Sequence, residues 1–284
     1  MSESQFIPAT IEEDLSYRVH DSALEAESAK EQQRQARRMT KQAARNLGGK
    51  WRCQGRIGEA QCGSLVSVNK DLCLECAAET RPEYAAIRIL LEPVARPMIV
   101  ELGAHIGEEH AEFERILKRD FCHVMVEADI GNVRRMQPLG IGQRIVVAAI
   151  SDVCGSAGFY FSDHYGDQCS GSLLAPSGHL ERHPDISFPI YGRVRTLTLD
   201  DVYDRESLGH VSLLWVDIQG AEAAMVCGGE KALKRTHYMF VESYETEMYR
   251  GQAVRADFLK MLPAWKVIKE FRENLLMENT EYPA

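Results

Sequence analysis

A doubly wound α/β sheet is the fold class this sequence predicts, and three observations carry it. From residue 84 onward, short apolar runs alternate with stretches of helical periodicity, which is how strands and crossover helices of a parallel sheet read in sequence. The run at residues 98–102 leads through Glu101 and Leu102 into two closely spaced glycines, Gly103 and Gly107, and then a helical stretch at 108–118. Acidic residues end several of the other runs, on the edge of the sheet where such folds bind ligands.

The elements follow in order. Residues 84–91 read as a helix entering the large domain, after a boundary at Arg81-Pro82. Strands are expected at 98–102, 123–126, 145–150, 211–216 and 238–241, with a further strand at 158–161. A Gly/Ser/Pro-rich stretch, 163–189, reads as a long loop beside the carboxyl ends of the strands, where loops shape ligand pockets. Residues 265–271 and 274–277 suit a terminal hairpin.

The chain has 284 residues, 45% of them hydrophobic, enough for one large domain and a small one. It contains no run of about 18 apolar residues, so no membrane span is expected. The polar start lacks the basic and apolar regions of a secretory signal, and a cytoplasmic location is the expectation. The net charge of −9 argues against nonspecific affinity of the whole molecule for nucleic acid. Residues 28–56 oppose this average with nine basic residues against one acid, a candidate surface for an anionic or protein partner. Within residues 1–50 a polar tail leads to a helix over 21–47, built of Ala, Glu, Gln, Lys and Arg and stopped at Gly48-Gly49. A solvated linker helix is the other reading of it.

Residues 51–80 hold four of the eight cysteines, Cys53, Cys62, Cys73 and Cys76, within 24 residues. The spacing C-x8-C-x10-C-x2-C suits a tetrahedral, structural zinc site in a segment too small to fold on apolar burial alone. Four unrelated thiols are the alternative. Cys122, Cys154, Cys169 and Cys227 are scattered and read as reduced thiols.

The chemistry gathers on the domain expected over residues 84–284. Gly103 lets the backbone leave its strand sharply, and Gly107 lets the next helix start close beneath a ligand. Two ligands compete for such a turn. A dinucleotide needs G-x-G-x-x-G, whose third glycine is missing here, so the looser turn of an adenosylmethionine site is favoured. Glu127, 24 residues after Gly103, ends the second strand, where a carboxylate can accept both ribose hydroxyl hydrogens. Ala149, Ser151 and Asp152 follow the third strand as candidates for the adenine edge. Asp217 and Glu242 end later strands, and Glu222 falls in a first helical turn, where a carboxylate also suits the helix dipole. Acids converging on one rim require a ligand, a cation or raised pKa values.

These residues together resemble the FkbM family of adenosylmethionine-dependent methyltransferases. The resemblance rests on Val100-Glu101-Leu102-Gly103-Ala104-His105-Ile106-Gly107, Glu127, Ala149-Ile150-Ser151-Asp152, the T-L-D-D element ending at Asp200-Asp201, Val216-Asp217-Ile218-Gln219-Gly220-Ala221-Glu222, and Val241-Glu242. It covers about the last 200 residues and leaves the cysteine module outside. The family usually has Asp where Glu101 stands and Asn where His105 stands.

The resemblance implies a class I methyltransferase fold and methyl transfer to a hydroxyl oxygen of a sugar, natural product or other small-molecule or glycan acceptor. It places the cofactor against Glu101, Gly103, Ala104, Gly107, Glu127, Ala149, Ser151, Asp152 and Asp217. Proton removal falls to Asp217, Glu242 or His105, with Glu222 a weaker candidate. Ser170-Gly171-Ser172, preceded by His164 and Tyr165, resembles the segment bordering the family's acceptor pocket. A protein that binds nucleic acid or protein through its cysteine module, around a residual catalytic fold, is the alternative reading.

Overall fold

The computed structural model describes residues 56–57, 60–61, 81–136, 140, 142–164 and 168–283. The basic helix, the four-cysteine module and Tyr165 lie outside these residues, apart from two short strands. The chain divides into two units, 1–77 and 78–284. In the first, β1 (Arg56–Ile57) pairs antiparallel with β2 (Ala60–Gln61).

The second unit begins with α1 (Pro82–Leu91), whose proline stands at the helix start, where no amide donor is needed. There follow β3 (Met98–Leu102), α2 (Glu108–Leu117), β4 (Cys122–Glu127), α3 (Ile130–Arg135) and β5 (Gln143–Val147). Next come β6 (Ala149–Ile150), β7 (Gly155–Asp163), α4 (Gly178–Arg182), β8 (Ser187–Leu197) and α5 (Leu199–Arg205). The chain ends with β9 (Val211–Val216), α6 (Glu222–Cys227), α7 (Glu230–Lys234), β10 (Thr236–Glu242), α8 (Arg255–Lys260), β11 (Trp265–Glu270) and β12 (Asn274–Asn279).

Seven strands form the main sheet in the order β11-β12-β10-β9-β3-β4-β5. All neighbouring pairs from β10 to β5 are parallel, and β12 runs antiparallel between β10 and β11. The expected terminal hairpin is β11–β12. Side-chain alternation divides the core between the two faces. Val100, Leu102, Val124, Val126, Leu214, Val216, Met239 and Val241 pack against α5, α6, α7 and α8. Ile99, Leu213, Trp215 and Phe240 meet Tyr84, Ile87 and Leu91 of α1 and Phe113 and Ile116 of α2. Helices therefore cover both faces, and each fully buried aliphatic or aromatic side chain contributes about 2 kcal/mol.

Two expected elements come out differently. The run at 145–150 is not one strand: Ala148 breaks it, β5 ends in the main sheet and β6 joins a separate three-stranded sheet, β6-β8-β7. The expected loop 163–189 carries α4 and the start of β8, an eleven-residue strand paired along β7. Alternation is weak in β8, where Ser187, Pro189, Ile190 and Tyr191 are all exposed, so period-two patterning did not mark it.

The T-L-D-D element is a helix start. Thr198 is the N-cap of α5: its Oγ1 accepts from the Asp201 amide at 3.0 Å and donates to Asp201 Oδ2 at 2.5 Å. Asp200 accepts from the Ala232 amide at 2.7 Å, at the first turn of α7. Its place in the fold is structural, away from the cavity described next. Among the described residues, no helix is long and apolar enough to cross a membrane.

Candidate active site

From β3 the chain steps outward to β4 and β5, and later returns to lay β9 and β10 on the other side of β3. The carboxyl ends of β3 and β9 thus diverge into connections running opposite ways, and a crevice opens between them. A cavity of about 270 Å³ occupies it. Its walls come from the turn after β3 (Gly103, Ala104, His105), the end of β4 (Glu127, Asp129), the end of β9 (Trp215, Asp217, Gln219) and the first turn of α2 (Glu108, Glu109). Phe159 of β7 and the segment Gln168–Gly171 close the side. A second, narrower cavity of about 50 Å³ adjoins it, lined mainly by Val126, Ala128, Ala148, Ala149, Ile150, Phe159 and Leu173.

The turn after β3 is fixed from both sides. Gly103 and Ala104 donate to Val126 O at 2.9 and 3.1 Å, and the Asp217 amide donates to Leu102 O at 2.9 Å. Gly103 has φ +81°, and a Cβ there would lie 1.7 Å from the Asp217 carbonyl oxygen. His105 follows at φ +48°. Histidine and asparagine enter this left-handed region more readily than most residues, which explains why His105 can stand where the family usually has Asn. Gly107, at φ +82°, is the N-cap of α2. It does not line the cavity.

Glu127 stands at the end of β4 with both oxygens in use. Oε2 accepts from the His105 amide and Oε1 from the Asp129 amide, each at 2.8 Å. A carboxylate oxygen has two lone-pair directions, so each retains one for a ligand hydroxyl. Burial pushes the Glu127 carboxyl up to about 7, against the lowering effect of those two amides.

On β9 the side chains of the D-x-Q-G-A-E element diverge. Gln219, at φ +51°, turns its amide nitrogen onto Asp217 Oδ1 (2.5 Å) and Glu242 Oε2 (3.2 Å), while its Oε1 accepts from Tyr249 OH (2.6 Å). One amide therefore joins the two acids, and Tyr249 fixes which way it faces. Glu242 also accepts from Tyr244 OH at 2.7 Å and lies behind Gln219, outside the cavity wall. Burial raises both carboxyls, and Asp217 raises Glu242 further, so the pair holds a proton that Glu242 keeps more tightly. Glu222 is turned inward: its Oε1 accepts from the Gly220 amide at 3.1 Å, and burial pushes it up to about 7. It shapes the turn and does not face the cavity. Raised pKa values are thus how this rim relieves its repulsion. Among the described residues no three His, Cys, Asp or Glu side chains converge as metal ligands.

Most sequence-predicted residues meet here. Glu101, Gly103, Ala104, His105, Glu127 and Asp217 line the main cavity, and Ala149 lines the narrow one. Ser151 and Asp152 line neither: the Ser151 amide is spent on Leu197 O, and Asp152 is exposed. The Ser170–Ser172 segment does border the site, but through Gly171, flanked by Cys169 and Leu173, and not through its serines. Ser172 Oγ donates to Gln219 O at 2.6 Å, supporting the turn from behind. Glu109, Asp129, Asn132, Gln168 and Gln219 were missed as lining residues. Gln219 carried a usable signal, as the polar residue between Asp217 and Gly220. The others are placed by helix and loop geometry alone.

A pH dependence follows from Glu127 and Glu222. Their folded pKa values of about 7 exceed the unfolded value of 4.5, so the stability they contribute is present below about 4.5 and lost as pH rises through 7. Buried His123 and His179, lowered to about 3 and about 4, act oppositely, but only below their unfolded value of 6.5. Between pH 6.5 and 8 the carboxyls therefore dominate. The ligand-free protein should lose about 1 kcal/mol per carboxyl across this window. A melting temperature that falls from pH 6.5 to 8 by differential scanning calorimetry checks it.

A crevice at the switch point of a doubly wound sheet, with an apolar slot beside an acid-rimmed chamber, is where proteins of this fold class bind their ligands. The chain belongs to the FkbM methyltransferases: residues 101–275 match the methyltransferase FkbM domain. It is 29% identical over 235 residues to the 2-O-methyltransferase NoeI of Sinorhizobium fredii, a match covering 77% of this chain and 96% of that protein. Among solved structures, it is similar to the methyltransferase FkbM of Methylobacillus flagellatus KT (14% identity, TM-score 0.41, 64% of this chain). This chain covers 43% of that one. It is also similar to Aeropyrum pernix fibrillarin with bound S-adenosyl-L-methionine (14% identity, TM-score 0.36, 70% of this chain and 73% of that chain).

Proposed function

We propose that this methyltransferase uses S-adenosylmethionine and methylates a hydroxyl oxygen of a small-molecule or glycan acceptor, as a 2-O-methyltransferase does. The observation that carries the reading is the pairing of the acid-lined chamber with the apolar slot at one switch point. The residues fit such a cofactor. Glu127 retains lone pairs for ribose hydroxyls, the slot from Ala148 to Ile150 takes a flat ring, and the carboxyls of Glu101, Glu109 and Asp217 complement a cationic ligand. Any side chain at Gly103 would collide with the Asp217 backbone and disturb the walls of both cavities.

When bound, adenosylmethionine supplies a methyl group activated by its sulfonium leaving group. The protein's part is alignment and removal of the acceptor's proton. Asp217 is the base in this reading: it faces the chamber, and Gln219 holds it in place. Glu242 and Tyr249 fix Gln219 and so position Asp217. His105 lines the same chamber.

Titration calorimetry tests the cofactor. Adenosylmethionine and its demethylated product should bind and NAD should not; failure of the first two to bind overturns the reading. Glu127→Ala should weaken adenosylmethionine binding by about tenfold to hundredfold, the worth of hydrogen bonds to a charged group. Unchanged affinity would remove Glu127 from the ribose.

We further propose that Cys53, Cys62, Cys73 and Cys76 hold one structural zinc ion. In support, the antiparallel pairing of Arg56 with Gln61 doubles the chain back within the gap between Cys53 and Cys62, as two ligands of one ion require. Metal analysis should find about one zinc per chain, lost in Cys73→Ser/Cys76→Ser; a metal-free wild type overturns it. The basic residues of 28–56 offer an anionic or protein partner a contact, which salt-dependent retention of the full chain on a nucleic-acid column would assign to the anion.

A further inference from the structure

Behind the cavity, a line of polar side chains crosses an otherwise apolar layer. His123 of β4 points to the same face as Glu101 of β3, beneath α2, and is fully buried with Phe113 and Phe121 beside it. Its Nε2 lies 3.0 Å from Glu101 Oε2. Neither atom has another polar partner among the described residues. The pair lies at hydrogen-bond distance without hydrogen-bond alignment, so the link requires imidazole and carboxyl to turn toward each other. On its other side His123 Nδ1 lies 2.9 Å from His110 Nδ1 of α2, with the ring planes 15° from parallel.

His110 Nε2 then has two neighbours of opposite kind. It contacts the amide nitrogen of Gln143, a donor whose orientation is set because Gln143 Oε1 accepts from the Gly140 amide at 2.9 Å. It also lies 3.5 Å from Oε1 of Glu114, an acceptor on the exposed side of α2. A neutral imidazole donates from one nitrogen and accepts at the other, so the line can point only two ways. With Glu101 ionised, Gln143 donates to His110 Nε2, His110 Nδ1–H to His123 Nδ1, and His123 Nε2–H to the carboxylate. With Glu101 protonated, the bonds reverse: Glu101 O–H donates to His123 Nε2, His123 Nδ1–H to His110 Nδ1, and His110 Nε2–H to Glu114, which requires the Gln143 amide to move off His110 Nε2.

We propose that Glu101, His123 and His110 form a reversible proton relay that sets the charge of the cofactor chamber and discharges the Glu101 proton at the protein surface when a cationic ligand binds. The balance is one proton. Glu101 gives its proton to His123 Nε2, His123 passes the one on Nδ1 to His110 Nδ1, and His110 releases the one on Nε2 to the Glu114 carboxylate and water. Neither histidine is left charged, which suits their burial: His123 is lowered to about 3 and His110 is lowered too, both chiefly by desolvation.

Without a ligand, burial and the facing carboxylates of Glu108 and Asp217 hold Glu101 protonated well above the usual range, with His105 opposing. Glu109 lines the same chamber. A bound sulfonium and ammonium reverse that balance. Affinity for the cation should therefore rise with pH up to the free Glu101 pKa and level off above it. His123 and His110 are positioning residues here, since neither touches the ligand.

The proposal deepens the adenosylmethionine reading, but its first test needs no ligand. Nitrogen-15 NMR of the imidazoles of the free, full-length protein should show His123 protonated at Nδ1 at low pH. Raising the pH should move the proton to Nε2 while His110 moves from Nε2 to Nδ1 at the same midpoint. Fixed tautomers from pH 5 to 9 would overturn the relay, whatever binds in the chamber.

The second test is calorimetry of adenosylmethionine in buffers of different ionisation enthalpy. Below the midpoint, wild type should release about one proton per ligand bound. His123→Leu, which removes the donor to Glu101, should shift the pH midpoint of affinity up by about one unit and weaken binding about tenfold on the acid side. Binding without proton release sinks the relay and spares the cofactor; a pH-driven flip without binding does the reverse. Should His123→Leu fail to fold, the wild-type tautomer and proton counts still decide.

Discussion

Gly103→Ala is expected to abolish activity and to cost several kcal/mol of stability, the largest effect of a methyl group added at any described glycine. Two penalties coincide. At φ +81° any L-residue is strained by roughly 1–2 kcal/mol. The added Cβ would also stand 1.7 Å from the Asp217 carbonyl oxygen and 2.8 Å from its carbonyl carbon, where the obstacle is backbone and not a side chain able to swing away. Relief requires the ends of β3 and β9 to separate. That movement breaks the Asp217 N–H to Leu102 O bond and opens the crevice whose walls are both cavities. The melting temperature and ligand affinity should fall together. A Gly103→Ala protein of wild-type stability would mean that the turn relaxes in a way this geometry does not allow. Gly251→Ala makes a useful control: it too has positive φ, at +83°, but nothing lies within 4 Å of its Cβ, so only the strain remains.

Asp217→Asn should lower kcat by about a hundredfold to ten-thousandfold, the usual contribution of a general base. The amide has the carboxylate's shape but accepts no proton at the reacting oxygen. Glu242→Gln should lower it less, since Glu242 supports Asp217 and Gln219 without lining the chamber. In wild type, kcat should rise with pH, because burial raises the Asp217 carboxyl and the base must be ionised to act. Glu242 keeps its proton over that rise and lowers the Asp217 carboxyl by hydrogen bonding to it, so Glu242→Leu, which cannot donate, should move the rise to higher pH. If Asp217→Asn instead raises KM alone, the residue holds the ligand and the base lies elsewhere. Tyr249→Phe frees the Gln219 amide and tests the same chain from its far end.

The β3 turn, Glu127 and Asp217 were legible in the sequence because each sits where a strand stops, and strand ends announce themselves through an apolar run followed by Gly or an acid. The alternation of strands and helices was legible for the same reason: burial on both faces imposes continuous apolar runs. The β6-β8-β7 sheet was not. Its long strand β8 is exposed over much of its length, so no hydrophobic pattern separates it from a loop. Nor was the placement of Ser151 and Asp152, which follow the third apolar run as Glu127 follows the second but leave the main sheet with β6 and line neither cavity. Glu242 was correctly seen as a strand-end acid, yet only packing shows that Gln219 stands between it and the chamber.

Sequence by itself determined the class of fold, the order of its strands along the chain, the family, and the residues at the strand ends, since these follow from local periodicity and the spacing of a few glycines and acids. Tertiary structure decided which side chains meet. Gln219, a neighbour of Asp217 in sequence, reaches Glu242, and Tyr249 closes on it from thirty residues away. His123 and His110 gave no sequence signal at all, one in an apolar strand and one in a polar helix. They touch because β4 lies under α2, and a hydrogen-bonded line through a core depends on that packing.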